Sequence, residues 1–304
     1  MSQKIYDMIT DRIIALLEAG VVPWRKPWKA GESAPRNLVS RKAYRGINAM
    51  LLAHTGFSSP YFLTFNQAKA LGGRVKKDEH GFTVIFWKFI DAKKARKEDE
   101  DAELERDRKG RIPLLRYYHV FNLDQVEGIP EGKIPAKPAA IPAEFHTIEE
   151  AEAIVEGMPQ RPEIRHHAGD RAFYRPATDT VTLPNREQFT NLEEYFSTLY
   201  HELVHATGAS SRLARKYLET YAAFGSEEYS QEELVAEMGA GFLCAVAGIA
   251  PKTLENSAAY VDSWLKALRN DRRAVVIAAG QAQKAADFIL GAKAAEDDGE
   301  EAAE

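Results

Sequence analysis

Leu192-Glu-Glu-Tyr-Phe-Ser-Thr-Leu-Tyr-His-Glu-Leu-Val-His-Ala-Thr-Gly208 reads as one helix that stops at a glycine. His201 and His205 are four residues apart, so both imidazoles project from one helical face and can share one ion. Glu202 follows the first histidine, where a His-Glu-x-x-His site carries a general base rather than a ligand. A Lewis acid with a carboxylate base beside it is the equipment for hydrolysing an amide. The motif therefore predicts a metal centre in the C-terminal half, with His201 and His205 as ligands and Glu202 as the catalytic base.

Such a centre takes three protein ligands and keeps a fourth position open. His205 is the last histidine of the chain, and Ser211 stands where some of these enzymes carry a third histidine. A carboxylate must complete the set, and 229–244 is the helix that supplies one. Glu233 and Glu237 are one turn apart and share a face with Ala240 and Gly241, small residues that permit close packing on the motif helix. Glu233 is assigned as the ligand and Glu237 as the residue orienting a ligating histidine, with Glu237 as the alternative ligand. Glu227, Glu228 and Glu232 read as a solvated acidic face. The expected ion is Zn²⁺, with Mn²⁺ possible.

Working outward, 304 residues suit two domains, and 45% hydrophobic with 28% charged residues supports a sizeable core beside a well-solvated surface. The single cysteine, Cys244, excludes an intramolecular disulfide and a cysteine zinc cluster. The apolar run 13–17 lies among Asp7, Asp11 and Glu18, with no cleavage site after it. No stretch approaches the roughly 20 apolar residues of a membrane span. A soluble, cytoplasmic protein with no membrane partner is expected.

Apolar spacing predicts helices over 5–19, 47–54, 64–71 and 147–156, with further helix from 192 to about 290. Strands are expected at 82–89, 117–122, 171–174 and 180–183. Residues 93–109 are almost all charged and read as a solvated insertion between two strands. Residues 128–144, with four prolines, read as an extended linker, and 293–304 as an acidic disordered tail. The predicted fold class is α+β: a nucleic-acid-binding domain over 1–127, the linker, and a mainly helical metallopeptidase-like domain over 145–292.

Between Pro23 and Lys77 there are eleven basic residues and one acid, Glu32, a local balance of +10 in a chain of net charge -5. Trp24, Trp28, Tyr44, Tyr61, Phe62 and Phe65 are interleaved with them. Cations alternating with rings suit single-stranded nucleic acid, whose bases stack while its phosphates are neutralised. No helix-turn-helix or zinc-finger pattern for duplex is visible. The DNA-binding residues expected from this cluster are Trp24, Arg25, Lys26, Trp28, Tyr44, Arg45, Asn48, Lys76 and Lys77.

Pro23-Trp-Arg-Lys-Pro-Trp28, Tyr44-Arg-Gly-Ile-Asn48, Thr64-Phe-Asn-Gln-Ala68, Gly73-Arg-Val-Lys-Lys77 and Val120-Phe-Asn-Leu-Asp-Gln-Val126 resemble the N-terminal domain of ArdC-type antirestriction proteins, also found at the start of some conjugative primases. His201-Glu-Leu-Val-His-Ala-Thr-Gly208 and Glu232-Glu-Leu-Val-Ala-Glu237 resemble that family's zincin-like domain. The resemblance spans about 5–290. It implies a single-stranded DNA-binding domain joined to a metallopeptidase-like domain, carried by mobile elements and protecting incoming DNA from host restriction. Two routes to protection stay open: coating the entering single strands, or cutting a host protein assembled on them. Two alternatives remain from the residues: a DNA-binding protein with a purely structural metal, and a peptidase toxin.

Overall fold

The computed structural model describes residues 2–25, 34–91, 111–135, 147–215, 227–249 and 258–292. The charged insertion, the acidic tail, Lys26, Trp28 and the linker from 136 to 144 lie outside the described residues.

The chain is a two-domain α+β protein. Helix α1 (Ser2–Glu18) buries Ile5, Tyr6, Ile9, Ile13, Ile14 and Leu17 on one face. It stops in a Schellman turn, with Gly20 N–H donating to Leu17 O at 2.9 Å and Val21 N–H to Leu16 O at 2.8 Å. Four strands form the N-terminal sheet in the order β1-β2-β5-β4: β1 (Arg36–Asn37), β2 (Tyr61–Thr64), β4 (Phe82–Asp91) and β5 (Arg111–Asn122). β1 runs parallel to β2, and the other pairings are antiparallel. The β4–β5 ladder runs unbroken from Phe82↔Val120 to Asp91↔Arg111, so both strands exceed the lengths their apolar patterns suggest.

Helix α2 (Gly46–Ala53) lies near the β4 edge, where the Asn48 amide bonds both backbone groups of Ile85. Thr64 and Gln67 close a capping box on α3 (Phe65–Ala70). The short strands β3 (Arg74–Val75) and β6 (Val126–Glu127) pair beneath it.

The C-terminal part holds α4 (Thr147–Glu156), a small sheet and four further helices: α5 (Leu192–Thr207), α6 (Glu227–Ala247), α7 (Ala258–Asn270) and α8 (Ala274–Ile289). The sheet order is β7-β9-β8, from β7 (Glu163–His167), β8 (Phe173–Arg175) and β9 (Thr180–Pro184).

One sequence expectation needs correcting. The linker does not begin at 128: Ile129 packs on the cluster of Leu38, Tyr61, Leu63, Ala68 and Val126, and Lys133 Nζ donates to Leu71 O at 3.3 Å. The two domains also share a main core. One apolar cluster includes Ile5, Ile9, Ile13, Trp24, Ile47 and Met50 together with Leu199, Leu203, Leu243, Trp264, Val275 and Ala279. Helices α1 and α2 pack on α7 and α8. Each large side chain removed from water there contributes about 1.5–3 kcal/mol, so the joint is a core and not a loose contact. Polar ties fix its rim: Arg272 pairs with Asp7 and Asp11, Arg269 with Glu18, and Arg45 with Asp287.

Candidate metal centre

Asn191 caps α5 by accepting from Glu194 N–H at 2.9 Å, and Glu193 and Glu194 favour the positive end of the helix dipole. Tyr195, Phe196, Leu199, Tyr200, Leu203 and Val204 bury the rest of the helix. This leaves His201 and His205 directed at α6, which packs across it.

Three donors converge there. His201 Nε2 and His205 Nε2 are 3.1 Å apart, Glu233 Oε2 is 3.5 Å from the first and Glu233 Oε1 is 3.4 Å from the second. Nitrogen and oxygen ligands about 2.0–2.2 Å from a tetrahedral ion stand about 3.3–3.5 Å from one another. The donor triangle therefore fits one such ion with a fourth position left over. Among the described residues, His201, His205 and Glu233 are the group able to hold a metal.

The electrostatics agree with a cation site. Burial disfavours a charged His205, but hydrogen bonds to Glu232 and Glu233 outweigh it and hold the ring up to about 10. His201 is raised against burial by its bond to Glu233. Burial pushes the Glu233 carboxyl up, and both histidines reverse that and hold it well below the usual carboxylate range.

Glu232 corrects the sequence reading. It is not a solvated acid: it is buried, accepts from His205 Nδ1 at 3.2 Å, and takes two bonds from Arg215, at 2.7 and 3.0 Å. Arg215 also donates to Val204 O and Thr207 Oγ1 at 2.7 Å each, tying the end of α5 to α6. Glu232 thus holds the second nitrogen of His205 and leaves Nε2 facing His201 and Glu233. Glu237, expected in that role, instead faces Arg25 at 3.8 Å. The adjacent Glu232-Glu233 pair was the available signal, whereas Arg215 lies in a stretch with no periodic pattern to mark it.

The small residues of α6 serve different neighbours. A Cβ on Gly239 would meet Val204 of the motif helix at 2.7 Å, whereas one on Gly241 would meet Trp24 O at 1.9 Å. Gly241 therefore receives the backbone of the N-terminal domain. Glu202 is buried beside the two histidines, and its carboxylate acts electrostatically on both rings.

Alanine at Glu233 should lower Zn²⁺ or Mn²⁺ affinity by more than the roughly 10- to 100-fold expected from loss of Glu232, which orients a ligand without being one. Competition with a chelating dye checks this. A larger loss in Glu237→Ala than in Glu233→Ala would reverse the assignment.

The proposed DNA-binding residues scatter. Trp24 is fully buried and meets Trp264 edge-on at 5.1 Å between centroids, so its ring cannot stack on a base. Arg25 lies over the Trp264 ring and beside Glu237. Tyr44 packs with Phe62, Phe82 and Tyr118, and burial pushes its hydroxyl pKa above the usual range. Arg45 is paired with Asp287, and Asn48 serves the β4 backbone. Lys76 and Lys77 are exposed, though Lys76 Nζ donates to Asp124 O at 2.7 Å.

Residues 3–121 match the family described as the N-terminal domain of anti-restriction factor ArdC, and residues 149–281 match the zincin-like metallopeptidase family. Two Escherichia coli proteins named DNA primase TraC are 38% and 35% identical over 95% of this chain, which spans only 20% and 27% of their lengths. Protein y4eC of Sinorhizobium fredii is 38% identical over 94% of this chain and 91% of its own. Crystal structures of the antirestriction ArdC protein from the R388 plasmid are also similar. The metal-free form has a TM-score of 0.69 at 39% identity, covering 93% of this chain and 96% of that one. The Mn(II)-bound form has the same TM-score at 40% identity, with 94% and 97% covered.

Proposed function

Because the chain belongs to the ArdC family of antirestriction proteins, we propose that it binds incoming mobile-element DNA as a single strand, protects it from host restriction, and hydrolyses peptide bonds of a host protein at the centre on α5 and α6. The observation that carries the reading is the donor triangle of His201, His205 and Glu233 with Glu202 buried beside it.

A divalent ion held there, Zn²⁺ first and Mn²⁺ as the alternative, supplies Lewis acidity that acidifies water and polarises a carbonyl. Glu202 accepts the proton of the attacking water on its carboxylate and delivers it to the leaving nitrogen. Glu232, fixed by Arg215, keeps His205 in the tautomer that presents Nε2. A closed structural site takes four protein ligands. Three donors, with the Glu202 carboxylate buried beside them rather than among them, favour catalysis over that alternative.

No described helix is long and apolar enough to cross a membrane, and we place the activity in the cytoplasm, where entering DNA meets restriction enzymes. Unmodified plasmid conjugated into a restricting host should establish more often when the chain is expressed. The purified chain should also retard single strands at lower concentration than duplex. Equal establishment with and without the chain would sink the antirestriction reading.

A further inference from the structure

With Trp24 and Tyr44 committed to packing, the basic region needs a different ring to meet a base. Residues 34–77 contain eight basic side chains and no acid. Within this field Phe65 is 58% exposed, the most exposed large hydrophobic side chain among the described residues, and Val39 is 50% exposed.

Phe65 is held on a rigid base. It opens α3 directly after β2, and Gln67 Oε1 accepts from Thr64 N–H and from Asn37 Nδ2, each at 3.0 Å. Asn37 Oδ1 in turn accepts from Val39 N–H and Ser40 N–H at 2.9 Å each. These bonds lock the 37–42 turn against the first turn of α3. The turn carries Arg41, in the left-handed region at φ 63, with its guanidinium over the Tyr61 ring. Lys69 lies one turn beyond Phe65 on the same face of α3. Neither Arg41 nor Lys69 has an acidic partner among the described residues. Arg45, Arg74 and Lys76, by contrast, are engaged by Asp287, Glu127 and the Asp124 carbonyl.

We propose that Phe65 is a stacking platform for a base of single-stranded DNA, with Lys69 and Arg41 taking the flanking phosphates. A preset, exposed ring loses little freedom on binding, and neighbouring cations match the spacing of a strand that alternates flat bases with negative charge. The inference rests on the single-stranded DNA reading above and places its contact surface.

The test uses the full chain and a fluorescein-labelled oligothymidylate, followed by anisotropy across a salt series. Phe65→Ala should weaken binding roughly 5- to 150-fold with the salt slope unchanged. Phe65→Tyr should bind like wild type, and emission from Phe65→Trp should be quenched by the oligonucleotide. The double change Arg41→Ala with Lys69→Ala should reduce the slope by about 1.4, two phosphates at about 0.7 each. Thermal midpoints should not move, because the side chains are exposed.

Wild-type binding with Phe65→Ala within twofold of it would overturn the placement and leave the DNA reading standing. An equal loss for duplex and single strand would also overturn it, since stacking needs an unpaired base. Wild type that fails to bind the oligonucleotide would overturn both.

Discussion

Arg215→Ala is expected to destabilise the chain by about 3–5 kcal/mol, the range found when one partner of a buried ion pair is removed. Arg215 and Glu232 side chains are 6% and 8% exposed, so a lone Glu232 carboxylate would stay buried with only His205 to answer it. The same change frees Val204 O and Thr207 Oγ1 at the end of α5. Urea unfolding of wild type, Arg215→Ala and the double variant Arg215→Ala with Glu232→Ala measures the effect. The double variant should lose less than the sum of the two single changes, since it leaves no orphaned charge. A single-variant loss below about 1 kcal/mol would mean that water reaches Glu232 and the clamp is only decorative.

Glu202→Gln should lower peptide hydrolysis by about 10²–10⁴-fold, the contribution of a positioned general base. The amide has the same shape but cannot accept the proton. Metal content should stay at the wild-type level because the donors are His201, His205 and Glu233. The comparison is made on any protein that the wild-type chain cleaves, with bound metal measured on the same samples. Wild-type turnover in the variant would remove Glu202 from the reaction.

The candidate donor group was legible because the geometry of its histidines is local. Two histidines four apart on one helix meet whatever the rest of the chain does, and Glu233 was reachable once no later histidine remained. Glu232 and Arg215 were harder, since their roles depend on how α6 crosses α5 and on a turn that brings residue 215 back to residue 232. Similar reasons divide the secondary structure. Helices α1 and α4 and the stretches 82–89 and 117–122 carry sustained patterns, whereas the Arg111–Arg116 end of β5, with Pro113 and two arginines, carries none. The two-residue strands β1, β3 and β6 are too short to carry any, and β7 shows no alternation among its charged and histidine positions.

The DNA-facing residues were read worst. Composition reports that rings and cations are abundant between Pro23 and Lys77, but it does not report which way they point. Trp24 supplied the strongest aromatic signal and is wholly interior, whereas Phe65 is the exposed one of the five described rings. The bulk that makes tryptophan an attractive stacking group also makes it the most rewarding residue to bury.

The seam between the two matched regions sets the size of the smallest inheritable piece. A chain broken between them would strip α1, α2 and Trp24 from a core they share with α7 and α8, and would leave Gly241 facing water where it now faces a backbone carbonyl. Neither fragment would keep a closed interior, so recombination within this stretch destroys both halves at once. Grafting must move the pair intact. The much larger primases align with this chain across 95% of it rather than with either region alone. A joint made of packed side chains thus acts as a genetic linkage, tying the two matched regions into one transferable cassette.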